Sequence, residues 1–338
     1  MKKVLVPVAL VAALAVAAVG GRAGDRAHAA PAKTFKVGLV TDVGGLHDRG
    51  FNQLSYAGLK RAQAKLGVQG RVLLSKANAD YIPNLSALAK QGYDLVIAVG
   101  FLMTDAVDTV AAQYPNTKFA IIDVDQRSMK HKPKNVEGLL FKEQEAGYLV
   151  GYAAGLWAKS QGAKAIGSVG GLKIPPVDRY IAGYQFGAKK ADPGLKTLND
   201  YSQDFVVQAK CKEKALNQIG QGSVVEFQVA GQCGLGVLDA ARSKKLFGIG
   251  VDADQGYLGT HVMTSALKKV DVAVASAIKS TRQGELQGGK NVVFDAKVNG
   301  VGYGKWSPKT PASIKAAVAA QFKLLKAGKI KGIPATVK

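Results

Sequence analysis

The sequence predicts an α/β protein of two similar lobes, each built on a parallel sheet, with a ligand cleft between them. Three observations carry that expectation. Short apolar runs alternate with amphipathic helical patterns, as in a parallel sheet covered by helices on both faces. The alternation occurs twice, over residues 37–122 and 166–251, with a long apolar helical pattern at 143–159 between the sets. The chain of 338 residues is 47% apolar with 40 glycines, which suits two cores and many tight strand–helix turns.

In the first set, strands are expected at 37–40, 71–74, 95–99 and 119–122, and helices at 54–66, 85–91 and 103–113. In the second, strands are expected at 166–169, 197–201, 224–229 and 246–251, and helices at 177–190, 212–219 and 236–242. A further helix over 264–282 should pack back on the first lobe. Segments 292–298 and 301–303 read as strands around the turn Asn299-Gly300, and 313–327 as a helix capped by Gly328. The domain expectation is a leader over 1–30, a first lobe over 33–160 to which 263–338 largely returns, and a second lobe over 161–262.

Residues 1–30 read as an export signal. Lys2 and Lys3 form a positive start, an apolar run of about 16 residues follows from Val4 to Val19, and Ala27-His28-Ala29 offers a small-x-small cleavage site. A membrane anchor is the rival reading, but the run is at the short end for spanning a bilayer, and basic, polar residues follow it. No later segment is apolar enough to span. The mature chain is therefore expected to be soluble and exported, periplasmic or associated with the cell surface. Removing residues 1–30 lowers the formal charge from +22 to +19. In an internal protein that excess would suggest nucleic acid. Here the lysines are dispersed along helices with no basic block among aromatics, so the expectation is a solvated basic surface and no nucleic-acid partner.

The cysteines are Cys211 and Cys233, and an exported pair is most simply read as a disulfide. A catalytic thiol or a metal site finds no support, because His47, His131 and His261 stand at no metal-ligand spacing from a cysteine or from each other. No cofactor is expected.

In an open α/β sheet, ligands bind at the carboxyl ends of strands. The loop after the first strand places Asp42, Asp48, Phe51 and Asn52 there. An aromatic where loop becomes helix either fills a core or stacks on a flat ligand, and the amide beside it can donate and accept hydrogen bonds. Asp123 follows the strand at 119–122, and Asp252 and Asp254 follow that at 246–251. Each either accepts a ligand N–H or hydroxyl or closes a cap or Asx-turn, and the turn is the reading for Asp254. The loops holding Gly170, Gly171, Gly231, Gly234 and Gly236 match neither the phosphate-loop nor the dinucleotide fingerprint. No nucleophile elbow or Ser/His/Asp order is present. Few groups are placed for acid–base chemistry, which points to a binder rather than an enzyme.

The segments DVGGLHDRGFNQLSYAGL, GFLMTDAV with YPNTKFAIIDVD, GSVGG, DF with KEKALNQIGQGS, GIGVDADQ and TSALKKVDVAV occur in that order. In that combination the chain resembles the basic membrane protein family of ABC-transporter substrate-binding proteins, which includes the purine nucleoside receptor lipoproteins of bacteria. The likeness runs from about Phe35 to Val274 and less clearly beyond. It implies the type I periplasmic-binding-protein fold, two Rossmann-like lobes joined by three crossovers with a ligand cleft at the hinge. It also implies capture of a nucleoside, a purine one first, by lobe closure, and delivery to an ABC permease in the membrane. A monomer is expected.

Carried over residue by residue, the resemblance makes Phe51 and Phe205 the two rings that stack on the base, one from each lobe. Asn52 and Asp123 read its edge, Gly231 lies in the second lobe's binding loop, and Asp252 and Lys268 face the ribose. Asp42 and Asp48 sit in the matched first loop and shape or contact the pocket. The chain departs from the family in three places. Where relatives carry a lipid-bearing cysteine after the leader, it reads AVGGRAGDRAHAA, so no lipid anchor is expected. The usual Asp two residues after the second stacking ring is Val207. The cysteine pair is the third departure, and a bond between Cys211 and Cys233 would brace the loop holding Gly231. Rival functions are a binder of another small ligand, such as a sugar or signalling molecule, and a nucleoside-processing enzyme, which would need a metal-binding carboxylate cluster.

Overall fold

A computed structural model describes residue 1 and residues 34–337. The expected leader lies outside the described residues. The first set of elements is β1 (Lys36–Val40), α1 (Phe51–Leu66), β2 (Gln69–Leu73), α2 (Tyr81–Lys90), β3 (Leu95–Ala98), α3 (Thr104–Gln113), β4 (Lys118–Ile122) and β5 (Val136–Phe141). After α4 (Glu143–Ser160) come β6 (Ala165–Gly170), α5 (Pro175–Ala191), β7 (Lys196–Tyr201), α6 (Gln208–Gly220), β8 (Ser223–Val229), α7 (Leu235–Ser243), β9 (Phe247–Asp252) and β10 (Val262–Lys268). The tail adds α8 (Val270–Arg282), β11 (Asn291–Phe294), β12 (Val301–Tyr303) and α9 (Ala312–Lys326). Central strands such as β3 (LVIA) are buried along their whole length, as strands covered on both faces are.

The strands form two six-stranded sheets, ordered β11-β5-β4-β3-β1-β2 and β12-β10-β9-β8-β6-β7. The pairings are parallel except β10 with β12. The chain passes between the lobes at Lys142, at Lys269 and over 295–300. Each passage leaves from β5, β10 or β11, at the same end of the strand order, so the lobes are joined along one side. β2 and β7 end the sheets on the other side. α8 packs back on α1 closely enough that a Cβ on Gly58 would meet the Asp271 carbonyl oxygen at 2.6 Å.

Four expectations need correction. The lobe bounds differ from those expected, since α4 packs on α5 and β10, and β12 and α9 also join the second lobe. β5 was not foreseen, because Glu137 and Gly138 interrupt its apolar run; Gly138 is required there since a Cβ would lie 2.4 Å from Val124 O. Residues 264–268, expected as the start of a helix, belong to β10, and the helix begins at Val270. Thr264 and Ser265 hide the strand in the sequence, yet both are fully buried between β9 and β12. The segments around Asn299-Gly300 are not a hairpin: β11 pairs with β5 and β12 with β10, so this turn belongs to a passage between lobes.

The tightest helix pair is α4 against α5. Gly147, Gly151 and Gly155 recur every four residues on α4 and face Gly183 and Gly187 on α5. A Cβ on Gly151 would stand 2.0 Å from the Tyr184 carbonyl oxygen, and one on Gly187 would stand 2.1 Å from that of Tyr148. The backbones touch, so no side chain fits. Gly151→Val is expected to cost roughly 2–3 kcal/mol by overpacking. Gly220→Ala, where nothing lies within 4 Å, should change stability by less than about 0.5 kcal/mol. Thermal unfolding of the two variants checks this, and an unchanged midpoint for Gly151→Val would refute the contact.

Candidate binding cleft

The first wall of the cleft is the loop between β1 and α1. Asp48 caps α1: its Oδ2 accepts from Asn52 N at 2.7 Å, and its Oδ1 from Gly50 N and Gln53 N, both at 3.1 Å. Asn52 pins the loop from inside, Oδ1 accepting from Asp42 N at 3.0 Å and Nδ2 donating to Val43 O at 3.2 Å. Its amide bonds go to the loop, and the residue also lines the cavity. Phe51 is left half-buried at the cavity surface. The Tyr81 hydroxyl on α2 donates to Asp42 Oδ1. Burial pushes the Asp42 carboxyl up to about 6, against the pull of Tyr81 and the Val43 N–H.

The facing wall is the loop between β7 and α6. Asp204 Oδ1 accepts from Val206 N at 2.7 Å and Val207 N at 2.9 Å, and Lys210 Nζ donates to its Oδ2 at 2.7 Å. Those bonds hold Asp204 below the ordinary carboxylate range, near 2. Val207, at the position where an Asp was expected, precedes α6 with 45% of its surface exposed. The half-buried ring of Phe205 is carried by this loop. The loop after β8 is tied both to this loop and to the helix this loop leads into: Cys233 N donates to Phe205 O at 3.0 Å, and Cys211 on α6 forms a disulfide with Cys233, with Cα atoms 5.6 Å apart. Gly231 adopts the left-handed φ of 54° beside Phe205 O, where a Cβ would come to 3.4 Å.

Two aspartates stand at matching strand ends, Asp123 after β4 and Asp252 closing β9. Both are non-glycine residues in the left-handed region, with φ of 71° and 60°. Such backbone strain at buried carboxylates marks a site that the surrounding structure holds in place. Tyr180 on α5 donates to Asp252 Oδ1 at 3.1 Å. Lys268 Nζ, at the end of β10, donates to Asp123 Oδ2 at 2.7 Å and lies 2.9 Å from Glu143 Oε1. Burial would lower the Lys268 pKa, but Asp123, Glu143 and Asp252 outweigh it and hold the ammonium above its ordinary value. Burial raises Asp123 to about 7 and Asp252 to about 6, in each case against the pull of Lys268.

Asp42, Asp48, Phe51, Asn52, Asp123, Phe205, Gly231, Asp252 and Lys268 all line one cavity. Its space, counted out to the open mouth and including the solvent there, is about 640 Å³. Asp254 is not in the lining; it closes an Asx-turn to Gly256 N and accepts from Lys305 N, both at 3.2 Å. The sequence reading missed the apolar part of the lining, Phe101, Ile174, Pro176 and Val177, and also missed Tyr180. A signal for Ile174, Pro176, Val177 and Tyr180 existed. α5 follows the first strand of its lobe as α1 does, so its N-terminal residues had to face the same cleft.

The ABC transporter substrate-binding family described as PnrA-like, the Bmp family, matches residues 35–333. The chain belongs to this family. A Lactococcus lactis relative named ABC transporter nucleoside-binding protein BmpA is 33% identical over 322 residues, covering 87% of this chain and 90% of the relative. An uncharacterised lipoprotein of Pyrococcus horikoshii is 38% identical over 283 residues, covering 80% and 69%. Among solved structures, an ABC transporter solute-binding protein of Aeropyrum pernix superposes with a TM-score of 0.77 at 29% identity, covering 89% of this chain and 94% of that one. The two parallel α/β lobes are thus the type I periplasmic-binding fold. As a PnrA-like protein the chain is a solute-binding component of an ABC transporter and not an enzyme. It acts outside the cytoplasm, takes a small-molecule ligand and works with a membrane permease. Among the described residues no helix is long and apolar enough to cross a membrane. Some relatives are named lipoproteins, whereas the expectation of no lipid anchor rests on residues outside those described.

Proposed function

We propose that the protein captures a purine nucleoside in this cleft and presents it, as a monomer, to its permease. The observation that carries the reading is the pair of half-buried rings, Phe51 from one lobe and Phe205 from the other, on a single cavity. Half-buried aromatic rings supplied by both lobes to one cavity suit a flat ring slotted between them. Asp252 and Lys268 on the same cavity suit a vicinal hydroxyl pair, one accepting and the other donating. Asp123 stands beside them as a further acceptor. The lining carries Asp42, Asp48, Asp123 and Asp252 against Lys268, whose ammonium is already engaged by Asp123 and Glu143. That balance disfavours a phosphorylated ligand and favours a neutral one. The Lactococcus relative's name agrees with this reading.

The test is the thermal midpoint of refolded, ligand-stripped protein with nucleosides, free bases, nucleotides and sugars. A ligand bound only by the native state must raise it. Purine nucleosides are expected to give the largest rise and their monophosphates little. A rise with a sugar but with no nucleoside would overturn the reading.

A further inference from the structure

Four charges meet under the cleft, where two of the passages between lobes begin. Glu143 is the first residue of α4, just after the passage at Lys142, and Lys268 is the last of β10, just before that at Lys269. Asp123 reaches the cluster from the first lobe and Arg179 from α5. Nζ of Lys268 lies 2.6 Å from Asp123 Oδ1 and 2.9 Å from Glu143 Oε1, while Arg179 Nε donates to Glu143 Oε2 at 2.6 Å. The side chains of Lys268, Asp123 and Glu143 are 2%, 4% and 0% exposed. Lys268 and Asp123 line the cavity; Glu143 and Arg179 stand behind them.

A lysine ammonium is a compact charge on a flexible stem, and only its surroundings fix it. With Asp123 as its sole partner it would be drawn to the first lobe. Glu143 pulls from the other side, and Arg179 keeps that carboxylate ionised and oriented. Between them the ammonium sits 5.1 Å from the centre of the Phe51 ring and 4.9 Å from that of Phe141. A buried ion cluster of this kind is weak evidence for stability, because desolvating its charges offsets their attraction. Its placement at a cavity and two lobe passages points to recognition.

We propose that Glu143 is the positioning residue of the cleft, holding the Lys268 ammonium beside Phe51 and Asp123 where it meets the ligand. The inference rests on the nucleoside reading for its binding probe, so the test carries a ligand-free arm as well. Asp123 is held up by burial and by the negative charge of Glu143, against Lys268 and Arg179. Asp252 is faced by Lys268, Tyr180, Asp48 and Glu143. A carboxyl raised in the folded protein takes stability away as pH rises from its unfolded value through its folded one. It accepts ligand hydroxyls more strongly when ionised, so affinity is expected to fall as pH drops through about 7 and about 6. Removing the Glu143 charge lowers the Asp123 value and moves that fall to lower pH.

The experiment titrates wild type, Glu143→Gln and Glu143→Asp with adenosine and guanosine between about pH 5.5 and about pH 8.5, and follows ligand-free unfolding over the same range. Glu143→Gln is expected to weaken binding roughly tenfold or more, the scale of a lost charge-assisted hydrogen bond, and to displace the pH profile. Glu143→Asp should recover much of both. Equal affinity in Glu143→Gln, or weaker affinity with an unmoved pH profile and no recovery in Glu143→Asp, would overturn the proposal. If wild type binds neither nucleoside, the nucleoside reading fails, and Glu143 is judged on the ligand-free arm. There the drop in midpoint from low to high pH should shrink in Glu143→Gln, and an unchanged drop overturns the proposal. Should Glu143→Gln not fold, Arg179→Lys serves, with a smaller loss of affinity expected and wild-type affinity counting against it.

Discussion

Replacing Phe51 and Phe205 together by alanine is expected to bring nucleoside affinity to the edge of detection while the protein stays folded. Base-on-ring stacking contributes about 1–3 kcal/mol per ring when read by alanine substitution. Each single variant should therefore bind roughly 10- to 100-fold more weakly, and the double variant weaker than either. Both rings are half-buried at the cavity rather than fully enclosed in the core, so the loss of stability should be small beside the loss of binding. Calorimetric titration measures the first and thermal unfolding the second. If either single variant binds like wild type, that ring is not part of the site. If both unfold readily, the rings are core residues.

The second large effect is expected on breaking the Cys211–Cys233 bond. It closes a loop with a sequence separation of 22, which in the chain-entropy view contributes about 3 kcal/mol. For a chain of this size that is a midpoint lowered by about 5 °C, from the usual unfolding entropy per residue. The bond also braces the Phe205 loop against the loop holding Gly231. Reduction, or Cys211→Ala with Cys233→Ala, should therefore weaken ligand binding beyond what stability alone explains. Unfolding and titration with and without reductant check this. A midpoint that ignores reductant would mean that the bond adds nothing to the folded state.

Much of this architecture was readable because its elements announce themselves by period. A strand such as β3 is an unbroken apolar run, and the helices between the strands repeat at helical spacing. What escaped was set by contacts rather than composition. β10 carries Thr264 and Ser265, both fully buried, which no apolar count finds. β5 hides behind Glu137 and Gly138, and the latter is glycine because Val124 O and Asn291 crowd it. The turn Asn299-Gly300 was seen, but a turn motif does not say which sheet each flanking strand joins.

The cleft shows the same division. Residues at strand ends, Asp42, Asp123 and Asp252, and the rings Phe51 and Phe205 were legible from position and resemblance. Their supports were not. Tyr81, Tyr180, Glu143 and Arg179 lie on helices where each has an ordinary place in an amphipathic pattern, and only the fold brings them against the cavity aspartates and Lys268. Asn52 has both surroundings at once: it lines the cavity, and its amide bonds go to its own loop.

Calorimetric titration of refolded, ligand-stripped protein with a purine nucleoside, its free base, ribose and its 5′-monophosphate shows whether the whole cleft engages one molecule. Saturable one-to-one binding of the nucleoside is expected, with each of the other three much weaker, because the rings, the Asp252–Lys268 pair and the acidic lining act on one molecule together. Binding of the monophosphate or of the sugar as tightly as the nucleoside would contradict it.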